Sequence, residues 1–183
     1  MKFDPQKHHR RSIRLKEYDY TQPGGYFITI VTHQRDCLFG KITNEEMQLN
    51  IYGQIVDECW RAIPEHFPNV ELGAYIVMPN HVHGIIVINE NGMATNSSPF
   101  VGARHASPLP RGVKPHSVGA IVGSFKSVVT KRIGRELNAT GIWQRNYYEH
   151  VIRNHEDWDR IHRYIETNPS MWAEDEENPM KHI

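Results

Sequence analysis

The longest apolar stretch of the chain, YIVMPNHVHGIIVI, covers residues 75–88. Its Val, Ile and Tyr residues favour β-structure, and Pro79-Asn80 interrupts the run, so the pattern predicts two buried strands joined by a tight turn. Side chains two positions apart on a strand point to the same face of a sheet. His81 and His83 are therefore predicted to project together from one face, with Val82 on the other.

Similar patterns place an earlier strand and a helix before this hairpin. Residues 26–33 (YFITIVTH) alternate and are rich in β-branched residues, which predicts a strand after the turn signal Gly24-Gly25. Residues 37–42 could add a short edge strand. Thr43 or Asn44 could cap a helix that runs to Pro64, whose apolar positions follow helical spacing; they are Ile51, Ile55, Val56, Cys59, Trp60 and Ile63.

Two further helices and one strand are predicted after the hairpin. Ser117 is a plausible N-cap for a helix through Leu137. The stripe predicted to pack inward consists of Val118, Ile121, Val122, Phe125, Val128, Val129 and Ile133. Residues 142–152 predict a strand region, and residues 156–167 a last helix that ends at Asn168-Pro169.

The predicted element order is strand, helix, strand, strand, helix, strand, helix. A βαββαβ order of this size fits an α+β fold of the ferredoxin-like (RRM-like) kind, an antiparallel sheet with two helices on one face. The last helix is then an addition, which is free to lie over the open face of the sheet.

Length and composition indicate one cytoplasmic domain. The 183 residues contain no run long enough to cross a bilayer, and only Cys37 and Cys59 as cysteines. The N-terminus is basic but has no apolar core of a secretory signal. Within the single domain we expect a basic arm at residues 1–20, a flexible insertion rich in Gly, Pro, Ser and Asn at 89–116, and an acidic tail at 170–183.

The formal net charge is zero, but the charges are clustered. One basic cluster is in the arm, and a second belongs to the helix after Ser117; its members are Lys126, Lys131, Arg132 and Arg135. Much of the compensating acid is the run Glu174–Glu177 near the C-terminus. A basic patch of this kind is a candidate for phosphate binding, and the alternative is a pair of solvated charged faces.

Two polar residues of the last helix extend the candidate site. Tyr164 and Asn168 are four residues apart, so they lie on one face of the helix. If this helix crosses the sheet face that carries His81 and His83, Asn168 offers an oxygen as a third metal ligand and Tyr164 lies beside the metal. Two imidazoles and an amide oxygen leave open positions, which suits Mg²⁺ or Mn²⁺. The alternative is that the two histidines lie on a solvent-exposed face of the sheet, that the tyrosine packs in the core, and that the asparagine is an ordinary residue at the C-terminus of a helix.

The motifs MPNHVHGIIV, WQRNYYEHVIRN and YIETNP together resemble the single-tyrosine HUH transposases of the insertion-sequence type, and most closely their REP-associated branch. The resemblance covers about residues 26–169. It implies that His81 and His83 are the HUH histidines, that Tyr164 is the nucleophile and that Asn168 is the third metal ligand. Many insertion-sequence members have Gln where Asn168 stands, and Asn points to the REP-associated branch.

The resemblance also implies a reaction and partners. Single-stranded hairpin DNA would be cut and rejoined through a 5′-phosphotyrosine, with Mg²⁺ or Mn²⁺. A homodimer that exchanges the Tyr164 helix is compatible with the resemblance. Tyr147 and Tyr148 are the rival nucleophiles, but neither has an amide partner four residues on. Arg145, together with Trp143 and Gln144, is a candidate DNA contact, and core packing is the alternative for the aromatics.

Two other functions are compatible with the residues. A non-catalytic nucleic-acid-binding module would fit the RRM-like sheet, but the aromatic RNP pattern is missing and the paired histidines would be unexplained. A metal-dependent hydrolase would use water in place of Tyr164. A covalent protein–DNA adduct forms only if a side chain attacks, so an adduct distinguishes the three possibilities.

Overall fold

The computed structural model describes residues 18–89 and 114–182. Most of the predicted basic arm and of the predicted insertion lie outside these residues. The strands are β1 (Gly24–Val31), β2 (Gly40–Thr43), β3 (Glu46–Leu49), β4 (Val70–Val77), β5 (His81–Ile88) and β6 (Tyr148–Ile152). The helices are α1 (Ile51–Arg61), α2 (Ile63–His66), α3 (Val118–Leu137) and α4 (His155–Thr167), and three short 3-10 turns are at His33–Arg35, Trp172–Glu174 and Pro179–His182.

Four strands form one antiparallel sheet in the order β4-β5-β1-β6. With α1 after β1 and α3 between β5 and β6, this is the predicted ferredoxin-like arrangement, and the α+β prediction is confirmed. The β4–β5 hairpin is also confirmed, because Pro79-Asn80 make its turn and the Met78 amide donates to the His81 carbonyl at 2.8 Å.

The main core lies between the sheet and the helices α1 and α3. Val82 and Ile86 point from β5 into this core, together with the fully buried Trp60 of α1. Gly84 is the position at which the Trp60 ring meets β5, since a Cβ there would lie 2.2 Å from the ring. The tryptophan therefore packs directly beneath the strand that carries both histidines.

Helix α4 covers the opposite face of the sheet. Its buried residues Ile161 and Ile165 pack with Ile85 of β5 in a second, smaller apolar cluster. The predicted extra helix over the open face is thus present, and it begins at the N-cap Asn154, whose side chain accepts from the Asp157 amide. This packing brings the C-terminal half of α4 over the His81–His83 face.

Three local predictions are wrong. Thr43 and Asn44 do not cap a helix: Asn44 and Glu45 form the turn of the β2–β3 hairpin, both with positive φ as a two-residue type I′ turn requires. Asn50 caps α1 instead and accepts from the Gly53 amide at 3.1 Å.

The predicted inward stripe of α3 is buried except at Val128, which is 38% exposed. The strand predicted for residues 142–152 is regular only over β6, with one isolated bridge between Thr32 and Trp143 before it. No helix in the described part of the chain is long and apolar enough to cross a membrane.

Candidate active site

The two histidines of β5 lie side by side beneath α4. His81 is completely buried and His83 is 3% exposed, and their ring centroids are 4.3 Å apart. This is the same-face geometry predicted for residues two apart on a strand. Val82 between them points into the main core, as predicted.

Each histidine is oriented through its Nδ1 atom by a buried neighbour. His81 Nδ1 lies 2.8 Å from Oδ1 of Asn80, an acceptor, so the proton is on Nδ1 and Nε2 carries a lone pair. His83 Nδ1 lies 2.9 Å from the hydroxyl of Thr29 on β1. Hydrogen bonds from the second ring nitrogen are the usual way in which proteins fix metal-binding histidines.

Burial keeps both imidazoles neutral. It lowers the pKa of His81 to about 4, although the carboxylate of Asp175 acts in the opposite direction. Burial, followed by the proximity of His81, lowers the pKa of His83 well below its ordinary value. Neutral imidazole is the form that binds a metal ion.

Asn168 and Asp175 complete this pocket from the other side. Asn168 directly follows α4 and is 1% exposed, and its Nδ2 donates to Oδ2 of Asp175 at 2.9 Å. The same carboxylate oxygen lies 4.0 Å from His81 Nε2, and its partner oxygen accepts from the Glu177 amide. Asp175 belongs to the segment predicted as an acidic tail, so at least this part of the tail lies in the site.

Two buried polar atoms in this pocket have no hydrogen-bond partner, His81 Nε2 and Asn168 Oδ1. Buried polar atoms of proteins are normally satisfied, so two adjacent exceptions require an explanation. The potential ligand atoms of His81, His83 and Asp175 lie within 4.8 Å of one another. Two imidazole nitrogens, an amide oxygen and a carboxylate form a donor set that fits a divalent metal ion.

Tyr164 projects from α4 beside the histidines of its own chain. Its hydroxyl lies 3.2 Å from Nε2 of His83, and its ring contacts Phe27 edge-on. Burial, followed by the negative charge of Asp175, raises the pKa of this phenol to about 12. The hydroxyl is thus protonated at neutral pH, while 44% of the residue remains exposed. The histidine pair and the tyrosine thus meet within one chain.

The tyrosine faces a cleft of about 820 Å³ between α4, the sheet and the C-terminal segment. The residues that line it include Phe27, Thr29, Arg35, His83, Tyr148, His150, Arg160, Tyr164, Asn168, Asp175 and Glu176. Of the two rival tyrosines, Tyr148 faces this cleft, whereas Tyr147 packs against the main core. The two rival tyrosines therefore have different surroundings, and Tyr148 is the one that lines the cleft.

The cations predicted to contact DNA have different surroundings. Lys126, Lys131 and Arg145 line one shallow groove between α3 and residues 141–145. Within it, the Lys126 ammonium donates to the carbonyls of Gln144 and Asn146, and burial lowers its pKa to about 8. Outside the groove, Arg132 forms ion pairs with Glu58 and Glu136, and Arg135 pairs with Glu136.

Sequence reasoning missed three residues of the site: Thr29, Asn80 and Asp175. Asn80 stands next to His81 in the motif, and its Nδ2 also donates to the carbonyls of Arg35 and Glu177. An orienting role could have been predicted from that adjacency. Asp175 gave no such signal, because it is 94 residues from His81 and lies in a run of four acidic residues.

Comparison with known proteins supports the resemblance. An uncharacterised protein of Haemophilus influenzae is 43% identical over 96% of both chains. A second protein of that organism, named as a putative REP-associated tyrosine transposase, is 25% identical over 82% of this chain and 73% of its own. No protein-family model matches the sequence.

The fold is also found in a solved structure described as a REP-associated tyrosine transposase bound to a REP hairpin. The TM-score is 0.58 and the identity 20%, over 88% of this chain and 75% of the other. The sequence relative thus confirms the predicted resemblance, and this structure shows the same fold.

Proposed function

We propose that this chain, which belongs to a family related to the REP-associated tyrosine transposases, cuts and rejoins single-stranded DNA through a phosphotyrosine bond at Tyr164. The observation that carries the proposal is the 3.2 Å contact between the Tyr164 hydroxyl and His83 Nε2, in a pocket that also contains the unsatisfied atoms of His81 and Asn168. Hairpin-forming DNA is the proposed substrate class because the structural relative is bound to a REP hairpin.

His81, His83 and Asn168 are the proposed metal ligands, and Asp175 joins them from the C-terminal segment. The unprotonated Nε2 of His81 and the unpaired Oδ1 of Asn168 support this assignment. Mg²⁺ and Mn²⁺ are the candidate ions, since a set with two oxygen donors and open positions suits them. Such an ion, when bound, acts as a Lewis acid on non-bridging phosphate oxygens.

Tyr164 supplies the nucleophile in the proposed reaction. Its hydroxyl oxygen forms a bond to phosphorus while the bond between phosphorus and the 3′ oxygen breaks. The phenolic proton is lost and the departing 3′ oxygen gains one, so the products are a 5′-phosphotyrosine and a free 3′-hydroxyl. Attack by a 3′-hydroxyl on this ester reverses the step and rejoins the strand without ATP.

The surroundings of the phenol support this role. A pKa of about 12 keeps the phenol protonated, so it reacts only with an activated phosphodiester. The residue is partly exposed and lines the cleft that DNA would enter, and the packing of Ile161 and Ile165 fixes the helix that carries it. A rigid element of this kind holds a reacting group in place.

Phosphate contacts outside the cleft are proposed for Lys126, Lys131, Arg132, Arg135 and Arg145. Lys131 and Arg145 are the strongest of these, because both are exposed and line the same groove. Arg132 and Arg135 already share Glu136, which reduces the charge that they offer to a phosphate. A homodimer remains a prediction.

The proposal is tested by incubating the protein with labelled single-stranded hairpin DNA from the flanks of its own gene, with Mn²⁺, followed by a denaturing gel. A covalent protein–DNA adduct is expected for the wild type and for Tyr148→Phe, and none for Tyr164→Phe or in EDTA. Metal-dependent cleavage without an adduct would favour a hydrolase that uses water. Binding without cleavage would favour a non-catalytic DNA-binding module.

A further inference from the structure

The sheet side of the cleft carries a second aromatic residue, which the proposed chemistry does not use. Tyr148 and His150 are two apart on the edge strand β6, so they project from the same face. Tyr148 lies opposite Thr29 of β1, the residue whose hydroxyl contacts His83. Its strand is therefore separated from the strand of the histidines by β1 alone, and 43% of the residue is exposed.

A cation faces this strand from α4. Arg160 lies one helical turn before Tyr164, so both point into the cleft. Asp157 joins the two walls, because His150 Nε2 lies 2.7 Å from one of its oxygens and the Arg160 guanidinium donates to the other. Arg160 is fixed in this way, yet its side chain remains 67% exposed. Only some of its five donors are used by Asp157.

The part of the cleft formed by the C-terminal segment is mostly acidic. Glu174, Glu176 and Glu177 line it next to Asp175, and Arg35, which also lines the cleft, pairs with Glu177. A phosphate backbone that leaves the proposed metal site is repelled by these carboxylates, whereas Arg160 offers it donors that Asp157 does not use. The charge distribution therefore directs a single strand along β6, across the exposed ring of Tyr148.

We propose that Tyr148 and Arg160 form a binding subsite for a nucleotide next to the scissile phosphodiester. The base of this nucleotide stacks on the Tyr148 ring, and its phosphate accepts hydrogen bonds from Arg160, which His150 and Asp157 hold in place. Unpaired bases stack on aromatic side chains whatever their sequence, and arginine donors suit phosphate oxygens. This subsite rests on the proposed function, because it assumes that single-stranded DNA enters the cleft.

The ring and the hydroxyl of Tyr148 can be tested separately. Fluorescence anisotropy in EDTA would measure binding of fluorescein-labelled hairpin oligonucleotides with single-stranded flanks. Tyr148→Ala is expected to weaken binding about tenfold, the size of one base–aromatic stack. Tyr148→Phe keeps the ring and should bind like the wild type. Ile51→Ala, which shortens a half-exposed side chain on α1, is the matched control and should change nothing.

An abasic series along the flank locates the stacked base. At one position, removal of the base should abolish the difference between the wild type and Tyr148→Ala, and elsewhere the difference should persist. Equal binding by Tyr148→Ala and the wild type would overturn the subsite, as would a phenylalanine variant as weak as the alanine variant or no position at which the difference vanishes.

The binding assay needs no cleavage, so the two proposals fail separately. Tyr148-dependent binding without any adduct in Mn²⁺ would support the subsite and contradict the phosphotyrosine reaction. Adduct formation with a fully active, tightly binding Tyr148→Ala variant would do the reverse. Failure of the wild type to bind any single-stranded flank would overturn both.

Discussion

The hydroxyl of Tyr164 lies 3.2 Å from Nε2 of His83, the ring nitrogen that Thr29 leaves available. The proposed nucleophile thus contacts a proposed metal ligand. A metal ion held by His83 Nε2 would compete with this hydrogen bond, because both would use the same lone pair of the nitrogen. The contact therefore joins the proposed nucleophile to the proposed metal site.

Tyr164→Phe should therefore bind Mn²⁺ at least as tightly as the wild type. A neutral hydrogen bond contributes about 1 kcal/mol, so its removal is expected to raise the affinity by up to about fivefold. Isothermal titration calorimetry measures this directly, with Tyr148→Phe as the control for loss of a phenol in the same cleft. Weaker Mn²⁺ binding by Tyr164→Phe would mean that the phenol is itself a ligand.

Asp175→Asn should weaken Mn²⁺ binding by tenfold or more. The substitution removes the negative charge beside His81. A carboxylate accepts through both of its oxygens, whereas the new amide has a single oxygen that can accept from Asn168. The measurement is the rise in melting temperature caused by Mn²⁺, which increases with affinity. Glu176→Gln changes an exposed neighbouring carboxylate and should leave that rise intact. If Mn²⁺ raised the melting temperature of both variants equally, Asp175 would not be a metal ligand.

The stability of the metal-free protein should fall in acid because His81 is buried in its neutral form. Its pKa of about 4 lies below the ordinary 6.5, so the unfolded chain takes up the proton first as the pH falls. This contribution is complete above about pH 6.5 and is lost between there and about pH 4.

Urea unfolding in EDTA across this pH range would compare the wild type with His81→Gln. The free energy of unfolding should decrease less steeply for the variant, which has no group to protonate at this position. Parallel curves for the two proteins would contradict the neutral buried imidazole.

Lys131→Ala and Arg145→Ala should each weaken hairpin binding and make it less dependent on salt. A side chain that neutralises one phosphate contributes about 0.7 to 0.9 to the slope of log K against log salt concentration. Arg135→Ala is the comparison, because Arg135 already pairs with Glu136 and should change the slope less. Binding curves at several salt concentrations give these slopes. Identical slopes for all four proteins would exclude the groove as a phosphate site.

The strands and the long helices were predictable because their signals are local. The period of two in residues 75–88 and the N-cap Ser117 specify structure within a few neighbouring residues. The same locality placed His81 with His83, and Tyr164 with Asn168. The two pairs meet on one face of the sheet because Ile161 and Ile165 pack helix α4 against that face. The resemblance implied this meeting, whereas the residue pattern alone left it open.

Long-range contacts account for what sequence reasoning missed. Asp175 reaches the histidines through a chain reversal after Asn168, and an acidic run carries no sign of where it packs. Arg132 pairs with Glu58 on another helix. The sequence shows the positive charge of Arg132 but not this partner, so it overstates the charge that Arg132 can offer to a phosphate. The pattern predicted a helix cap at the β2–β3 turn because an asparagine such as Asn44 is favoured both at helix N-caps and in turns with positive φ.

The identity of the residue that carries the DNA tests the central claim most directly. The adduct formed with hairpin DNA and Mn²⁺ would be digested with nuclease and protease, and the peptide that bears the residual nucleotide would be sequenced by mass spectrometry. The modification is expected on Tyr164, in the peptide that contains YIETNP. A nucleotide on Tyr147 or Tyr148 would contradict the role proposed for α4.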